Sequence, residues 1–115
     1  VVDDDATIGK VLRRMLDEDH DVTVVTTASE ALDRLVAGQE FDAILCDLMM
    51  PEMTGMDLYA EISFRLPRVK DRMVFMTGGA FTSRARSFLD EVPNARIEKP
   101  FVIQNVRALL AAMVR

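Results

Sequence analysis

Two hydrophobic rhythms alternate along the chain. Ile8, Val11, Leu12, Met15 and Leu16 recur at three- and four-residue spacing, which predicts a helix with Lys10, Arg13 and Arg14 on its outer face. Ala28, Leu32, Leu35 and Val36 predict a second, entered through a capping box from Thr27 to Glu30 and stopped at Gly38. Leu58, Ile62 and Leu66 mark a third, opened at Met53-Thr54-Gly55 and closed by Pro67. Ala85, Phe88, Leu89 and Val92 mark a fourth, ended before Pro93, and Val102, Val106, Leu109, Leu110 and Met113 a fifth. Between them lie short apolar runs at residues 1–2, 22–25, 43–46, 73–76 and 96–98, several rich in β-branched residues, which predict strands.

Five βα units in succession predict an α/β fold: a five-stranded parallel sheet with helices on both faces. Right-handed crossovers leave few topologies, of which the flavodoxin-like order 2-1-3-4-5 is expected, with its switch point between the first and third strands. No linker, repeat or low-complexity segment interrupts the pattern. Residues 1–115 are therefore expected to form one domain. With at most two apolar residues before Asp3 and no initiator methionine, that domain is expected to be a piece of a longer protein.

Composition narrows the class. Half of the 115 residues are hydrophobic and 29% are charged, as in an ordinary globular domain. No apolar run approaches the ~20 residues of a membrane span. A net charge of −5 argues against a general nucleic-acid surface. The single cysteine, Cys46, excludes an intrachain disulfide and favours a reducing, cytoplasmic setting; inside a central strand it is expected to be buried and inert.

The candidate chemistry lies where strands end. Ile44-Leu45-Cys46 runs into Asp47, and Pro51 prevents the strand from continuing. In the expected topology Asp3 and Asp4 neighbour Asp47, while Thr77 and Lys99 end the fourth and fifth strands on the same rim. Each has an ordinary alternative: Asp3 and Asp4 as acids at a helix N-terminus, Thr77 as a cap, Lys99 as a surface lysine. Three carboxylates in one cleft repel one another, and oxygen ligands of this kind suit a hard divalent cation such as Mg²⁺. His20 sits between two acids in a loop, too far from the cleft to complete a zinc set.

Four motifs in order, Val2-Asp3-Asp4-Asp5, Asp47-Leu48-Met49-Met50-Pro51 with Gly55, Met76-Thr77-Gly78 and Lys99-Pro100-Phe101, resemble the receiver domain of two-component response regulators and hybrid histidine kinases. The stretch from Met76 to Phe81 and the Glu98-Lys99-Pro100-Phe101 ending are similar in particular to receivers attached to hybrid kinases. The resemblance implies that Asp47 is the phosphoacceptor, taking its phosphoryl group from a histidine kinase or phosphotransfer domain. It implies Asp4 as a direct Mg²⁺ ligand and Asp3 as one through water, with Asp47 and the Met49 carbonyl completing the set. Lys99 would pair with Asp47 and then with a phosphoryl oxygen, Thr77 would hydrogen-bond another, and the Gly78 N–H is a third donor. It further implies a cis Lys99-Pro100 bond. From charge and apolar runs no nucleic-acid contact or membrane insertion by this domain is expected, and whether the fourth-helix face, with Arg84 and Arg86 exposed, makes a dimer is left open by the sequence.

Two positions depart from the family pattern. Arg96 stands three residues before the lysine, where an aromatic residue is common. Met49 and Gly79 offer no polar side chain to orient a hydrolytic water, so slow self-dephosphorylation is expected. The alternatives are a phosphatase using an aspartyl phosphate, which would want an acid where Met49 stands, a flavin module lacking its hydroxyl-rich loop, and a pseudo-receiver serving only as a protein-interaction module. A signalling phosphoacceptor, not a turnover enzyme, is the expectation.

Overall fold

The computed structural model describes residues 1–78 and 82–114. Among the described residues there are five helices: α1 (Ala6–Leu16), α2 (Ala28–Val36), α3 (Gly55–Arg65), α4 (Ser83–Glu91) and α5 (Ile103–Met113). Three strands, β1 (Ile44–Asp47), β2 (Met73–Thr77) and β3 (Arg96–Glu98), pair in parallel in the order β1-β2-β3. A 3₁₀ turn at Lys70–Arg72, not foreseen from the pattern, leads into β2.

The five strands expected are therefore three among the described residues. The first two expected strands are reduced to single parallel bridges from Val2 to Val25 and from Val2 to Cys46. Val2 is bridged on both sides: towards β1 by Val2 N–H to the Leu45 carbonyl and Asp47 N–H to the Val2 carbonyl, and towards Val25 by Val25 N–H to the Val1 carbonyl and Asp3 N–H to the Val25 carbonyl. Of the run at 22–25 only Val25 is buried, and a half-exposed segment gains too little from burial to form a longer ladder.

The two sheet faces divide the core. Ile44, Cys46, Met73 and Phe75 pack with α2, α3 and α4, while Leu45, Val74 and Met76 pack with α1 and α5. Alternation therefore persists inside strands that read as continuous apolar runs, because both faces are covered. Tyr59, Phe75 and Phe88 meet edge to face, with ring centroids 5.1–5.7 Å apart, and join α3, β2 and α4.

Helix ends follow the expected punctuation. Thr27 caps α2 by accepting the Glu30 N–H, and Gly38 leaves the helix at φ +100, a conformation costly to residues with a Cβ. α3 stops before Pro67 and α4 before Pro93. Cys46 is fully buried, and burial with the nearby Asp47 charge pushes its thiol up to about 12, so it is unreactive as expected.

Candidate functional site

Asp47 ends β1, and the Val2 bridge to Cys46 sets Asp3 and Asp4 beside it. One carboxylate oxygen from each of Asp3, Asp4 and Asp47 lies within 4.8 Å of the others. Asp3 and Asp47 are buried and Asp4 is exposed, so the cluster is open to solvent on Asp4's side. Lys99, in the turn after β3, reaches into it. Its Nζ donates to Asp3 Oδ2 at 2.9 Å and lies 3.6 Å from Asp47 Oδ1. The expected pair with Asp47 is present, and the closer partner is Asp3. Asp3 uses its other oxygen, Oδ1, to accept the Asp5 N–H. The Lys99-Pro100 bond is cis.

One ammonium faces three carboxylates. Two like charges ~4 Å apart repel by about 4 kcal/mol at an effective dielectric near 20. The cost appears at Asp47, whose carboxyl is raised from 3.8 to about 6 by burial and then by Asp3, against the opposing pull of Lys99 and the Met49 N–H. Burial works against the Lys99 ammonium, but the bond to Asp3 and the charges of Asp47 and Asp3 outweigh it and raise it above its ordinary value.

A carboxyl raised in the folded state holds its proton more tightly there than in the unfolded chain. It therefore costs stability progressively as pH rises from 3.8 towards about 6, and fully above that. Asp47→Asn is expected to raise the melting temperature at pH 7.5 in chelator by about 3–6 °C, the equivalent of roughly 1 kcal/mol. The gain should shrink as pH falls below about 6 and disappear below 3.8, where Asp47 is protonated in both states. Thermal melts across this range check it; a gain independent of pH would mean that repulsion is not its source.

Thr77 ends β2 as a residue 2% exposed, and its Oγ1 has no hydrogen-bond partner among the described residues. A buried hydroxyl left unpaired costs about 1–3 kcal/mol, so such a group is usually reserved for a ligand or water. The Thr77 carbonyl accepts the Lys99 N–H at 2.8 Å, which joins the ends of β2 and β3. Gly78 is exposed beside it. Gly79, Ala80 and Phe81, which the similarity to hybrid-kinase receivers and the reading of Gly79 had used, lie outside the described residues.

The loop after Asp47 is built around Gly55. A Cβ there would stand 2.5 Å from the Asp47 carbonyl oxygen and 3.0 Å from the Leu48 Cα. The Gly55 N–H also donates to the Leu48 carbonyl at 3.0 Å. The first turn of α3 thus abuts the backbone of the acidic residue itself. Thr54 and Asp57 close a capping box, and the second Asp57 oxygen accepts Arg84 Nη2 from α4 at 2.8 Å. The sequence Thr54-Gly55-Met56-Asp57 carries this signal, a threonine followed three residues on by an acid. Arg84 and Arg86 are both exposed on the fourth-helix face as expected, and Arg84 is in addition paired with Asp57. Met49 is 41% exposed beside the cluster.

The response regulator receiver domain family matches this chain over residues 1–111. The chain belongs to that family, whose members act in two-component signalling. The response regulator MprA of Mycolicibacterium vanbaalenii is 30% identical over 118 residues, covering 100% of this chain and 49% of its own. The hydrogenase transcriptional regulatory protein HoxA of Cupriavidus necator is 41% identical over 69 residues, 60% of this chain and 14% of that protein. The chain thus spans about half, or less, of the length of these curated relatives. Among solved structures, a response regulator receiver domain protein from Clostridium thermocellum shares the fold at a TM-score of 0.83 with 23% identity, over 98% of this chain and 90% of that one. The receiver domain of the sensor histidine kinase PA1611 from Pseudomonas aeruginosa, solved with a magnesium ion coordinated in its active-site cleft, shares it at a TM-score of 0.82 with 24% identity, over 98% and 93%. The flavodoxin-like α/β receiver fold with a parallel sheet is therefore shown. No helix among the described residues is long and apolar enough to cross a membrane.

Proposed function

We propose that this domain accepts a phosphoryl group onto Asp47 from a phosphohistidine of a histidine kinase or phosphotransfer domain, and so switches an attached or partner domain. One juxtaposition carries the reading: three carboxylates within 4.8 Å, a lysine ammonium on two of them, and a buried threonine hydroxyl with no described partner. An Asp47 oxygen attacks phosphorus as the bond to the imidazole nitrogen breaks, and the departing imidazole takes up a proton. Lys99 then exchanges carboxylate for a phosphoryl oxygen, and Thr77 donates to another. Phosphoryl transfer asks mainly for positioning and charge neutralisation, which these groups supply.

The donor set fits Mg²⁺: hard oxygens on Asp3, Asp4 and Asp47, with room on the exposed Asp4 side for water, and the Met49 carbonyl as the further ligand. When bound, the ion neutralises the carboxylate cluster and the charge on the phosphoryl oxygens. The magnesium in the PA1611 cleft supports this reading. So does the elevated Asp47, because a nucleophilic carboxylate must be ionised near pH 7 and an adjacent cation favours that form. We read the sheet order as 2-1-3-4-5, which the two Val2 bridges support. Met49 cannot orient an attacking water, so the phosphoryl state is long-lived or is passed onward.

The site assignment is tested by treating the phosphorylated protein with borohydride, which reduces an acyl phosphate to the alcohol, and mapping the product by peptide mass. Conversion at residue 47 alone is expected; conversion at Asp3 or Asp4 would move the acceptor.

A further inference from the structure

Helix α3 carries a face that the fold leaves uncovered. Gly55, Met56, Leu58 and Ile62 are buried, so the opposite side presents Asp57, Ala60, Glu61, Phe64 and Arg65, three and four residues apart in one stripe. Phe64 is the outlier on it. The residue is 88% exposed, against 54% for Val102, the next most exposed large hydrophobic among the described residues. At that exposure the ring gains almost nothing from its own chain and forgoes the stabilisation that burial brings. The charges around it are ordered. Asp57 and Glu61 precede the ring, Arg65 follows it, and Arg68 is exposed in the turn beyond. Asp57 is committed to Arg84, but Glu61 and Arg65 hold only one another, at 3.1 Å, with side chains 44% and 53% exposed. An exposed pair of this kind is weak, so both groups are free to take other partners.

A stripe with its acids first, an apolar centre and its bases last is complementary to its own reverse. Two copies of α3 laid antiparallel, about a twofold axis level with Ile62 and Ser63, set Phe64 of each over the exposed Ala60 of the other, whose methyl leaves room for the ring. The same arrangement brings Glu61 of each copy opposite Arg65 of the other, and the twofold makes that pair twice. Moving the axis by one residue shifts these levels by only about 1.5 Å. The acid cluster stays open, because Gly55, which abuts Asp47, lies nine residues or about 14 Å along the helix from Phe64. A contact two or three turns long falls short of the roughly 1,200 Å² of a standard interface, so the pair is weak and reversible.

We propose that the outer face of α3 is a self-association surface, on which a second copy of this chain docks antiparallel around Phe64. The pairing does not depend on the chemistry at Asp47. Sedimentation of the protein from micromolar into millimolar concentration reads it. The wild type is expected to show a reversible monomer–dimer equilibrium that weakens with added salt. Phe64→Gln keeps a good helix former and removes the ring; dimerisation is expected to weaken by about tenfold or more, with the melting temperature in dilute solution unchanged. Glu61→Arg and Arg65→Glu should each lose the dimer alone, since like charges then face one another across the axis. An equimolar mixture of these two variants should regain it, because every Arg at 61 and 65 of one copy meets a Glu of the other. A wild type monomeric throughout would overturn the surface. A dimer that Phe64→Gln leaves intact would place the contact on another face and overturn it equally. A Phe64-dependent dimer that the mixture fails to restore would overturn the antiparallel pairing.

Discussion

Gly55→Ala is expected to lower the melting temperature by about 5–15 °C and to cut labelling of Asp47 by more than about tenfold. Helix propensity alone points the other way, since alanine in a helix is favoured over glycine by about 1 kcal/mol. Sterics decide the sign. The added Cβ would stand 2.5 Å from the Asp47 carbonyl oxygen and 3.0 Å from the Leu48 Cα, both backbone atoms that cannot rotate away. Relief requires either α3 or the acceptor's own peptide to move, and overpacking of this kind costs about 1–3 kcal/mol. Displacing Asp47 also spoils its approach to phosphorus, so labelling falls with stability. Thermal melts and intact mass after incubation with a small phosphoryl donor check both. A variant as stable as the wild type would show that the loop yields freely.

Lys99→Met should abolish labelling and destabilise the fold by about 1–3 kcal/mol. The destabilisation comes from Asp3, which is 1% exposed and would lose the ammonium 2.9 Å from its Oδ2. Partial exposure of Lys99 holds the figure below that of a fully buried pair. The sign with pH follows from the raised Lys99 value. Its contribution is complete below 10.5, the unfolded-state value, and is lost only as pH climbs through the higher folded one, so the deficit persists across the neutral range. Adding Asp3→Asn separates the two roles. In the double variant most of the stability should return, because the more buried of the two carboxylates no longer carries an unpaired charge, while labelling stays absent. A double variant no more stable than Lys99→Met alone would show that Asp3 is not the group left unpaired.

Much of the architecture could be read from the chain because its punctuation is local. Pro67 and Pro93 end helices wherever they occur, Gly38 supplies a positive φ, and helical periodicity marked all five helices. The strands were less legible. A run of β-branched residues at 22–25 signals propensity, but a ladder also needs a neighbour of matching length, and Val2 gives Val25 only one bridge. In the site, the strand-end positions of Asp3, Asp47, Thr77 and Lys99 followed from topology, whereas which carboxylate Lys99 favours did not. That choice depends on side-chain reach and on Asp3 being the more buried of the two. The sequence placed Arg96 where an aromatic residue is common and set its strand beside the fourth helix, but not its bond. That bond, to the Leu89 carbonyl of α4, depends on Pro93 removing a donor in one element and β3 register supplying one from another. The close packing of Gly55 on Asp47 is equally non-local, although the glycine stood within the motif.

The central claim is that Asp47 is a phosphoacceptor served by an acid cluster that holds Mg²⁺. Its most direct test is the intact mass of the protein after incubation with acetyl phosphate, with Mg²⁺ or with chelator, for the wild type and Asp47→Ala. The account predicts a gain of one phosphoryl group in the wild type with Mg²⁺, none in chelator, and none in the variant under either condition. A gain of equal size in Asp47→Ala would contradict it, as would a folded wild type that neither gains mass nor binds beryllofluoride.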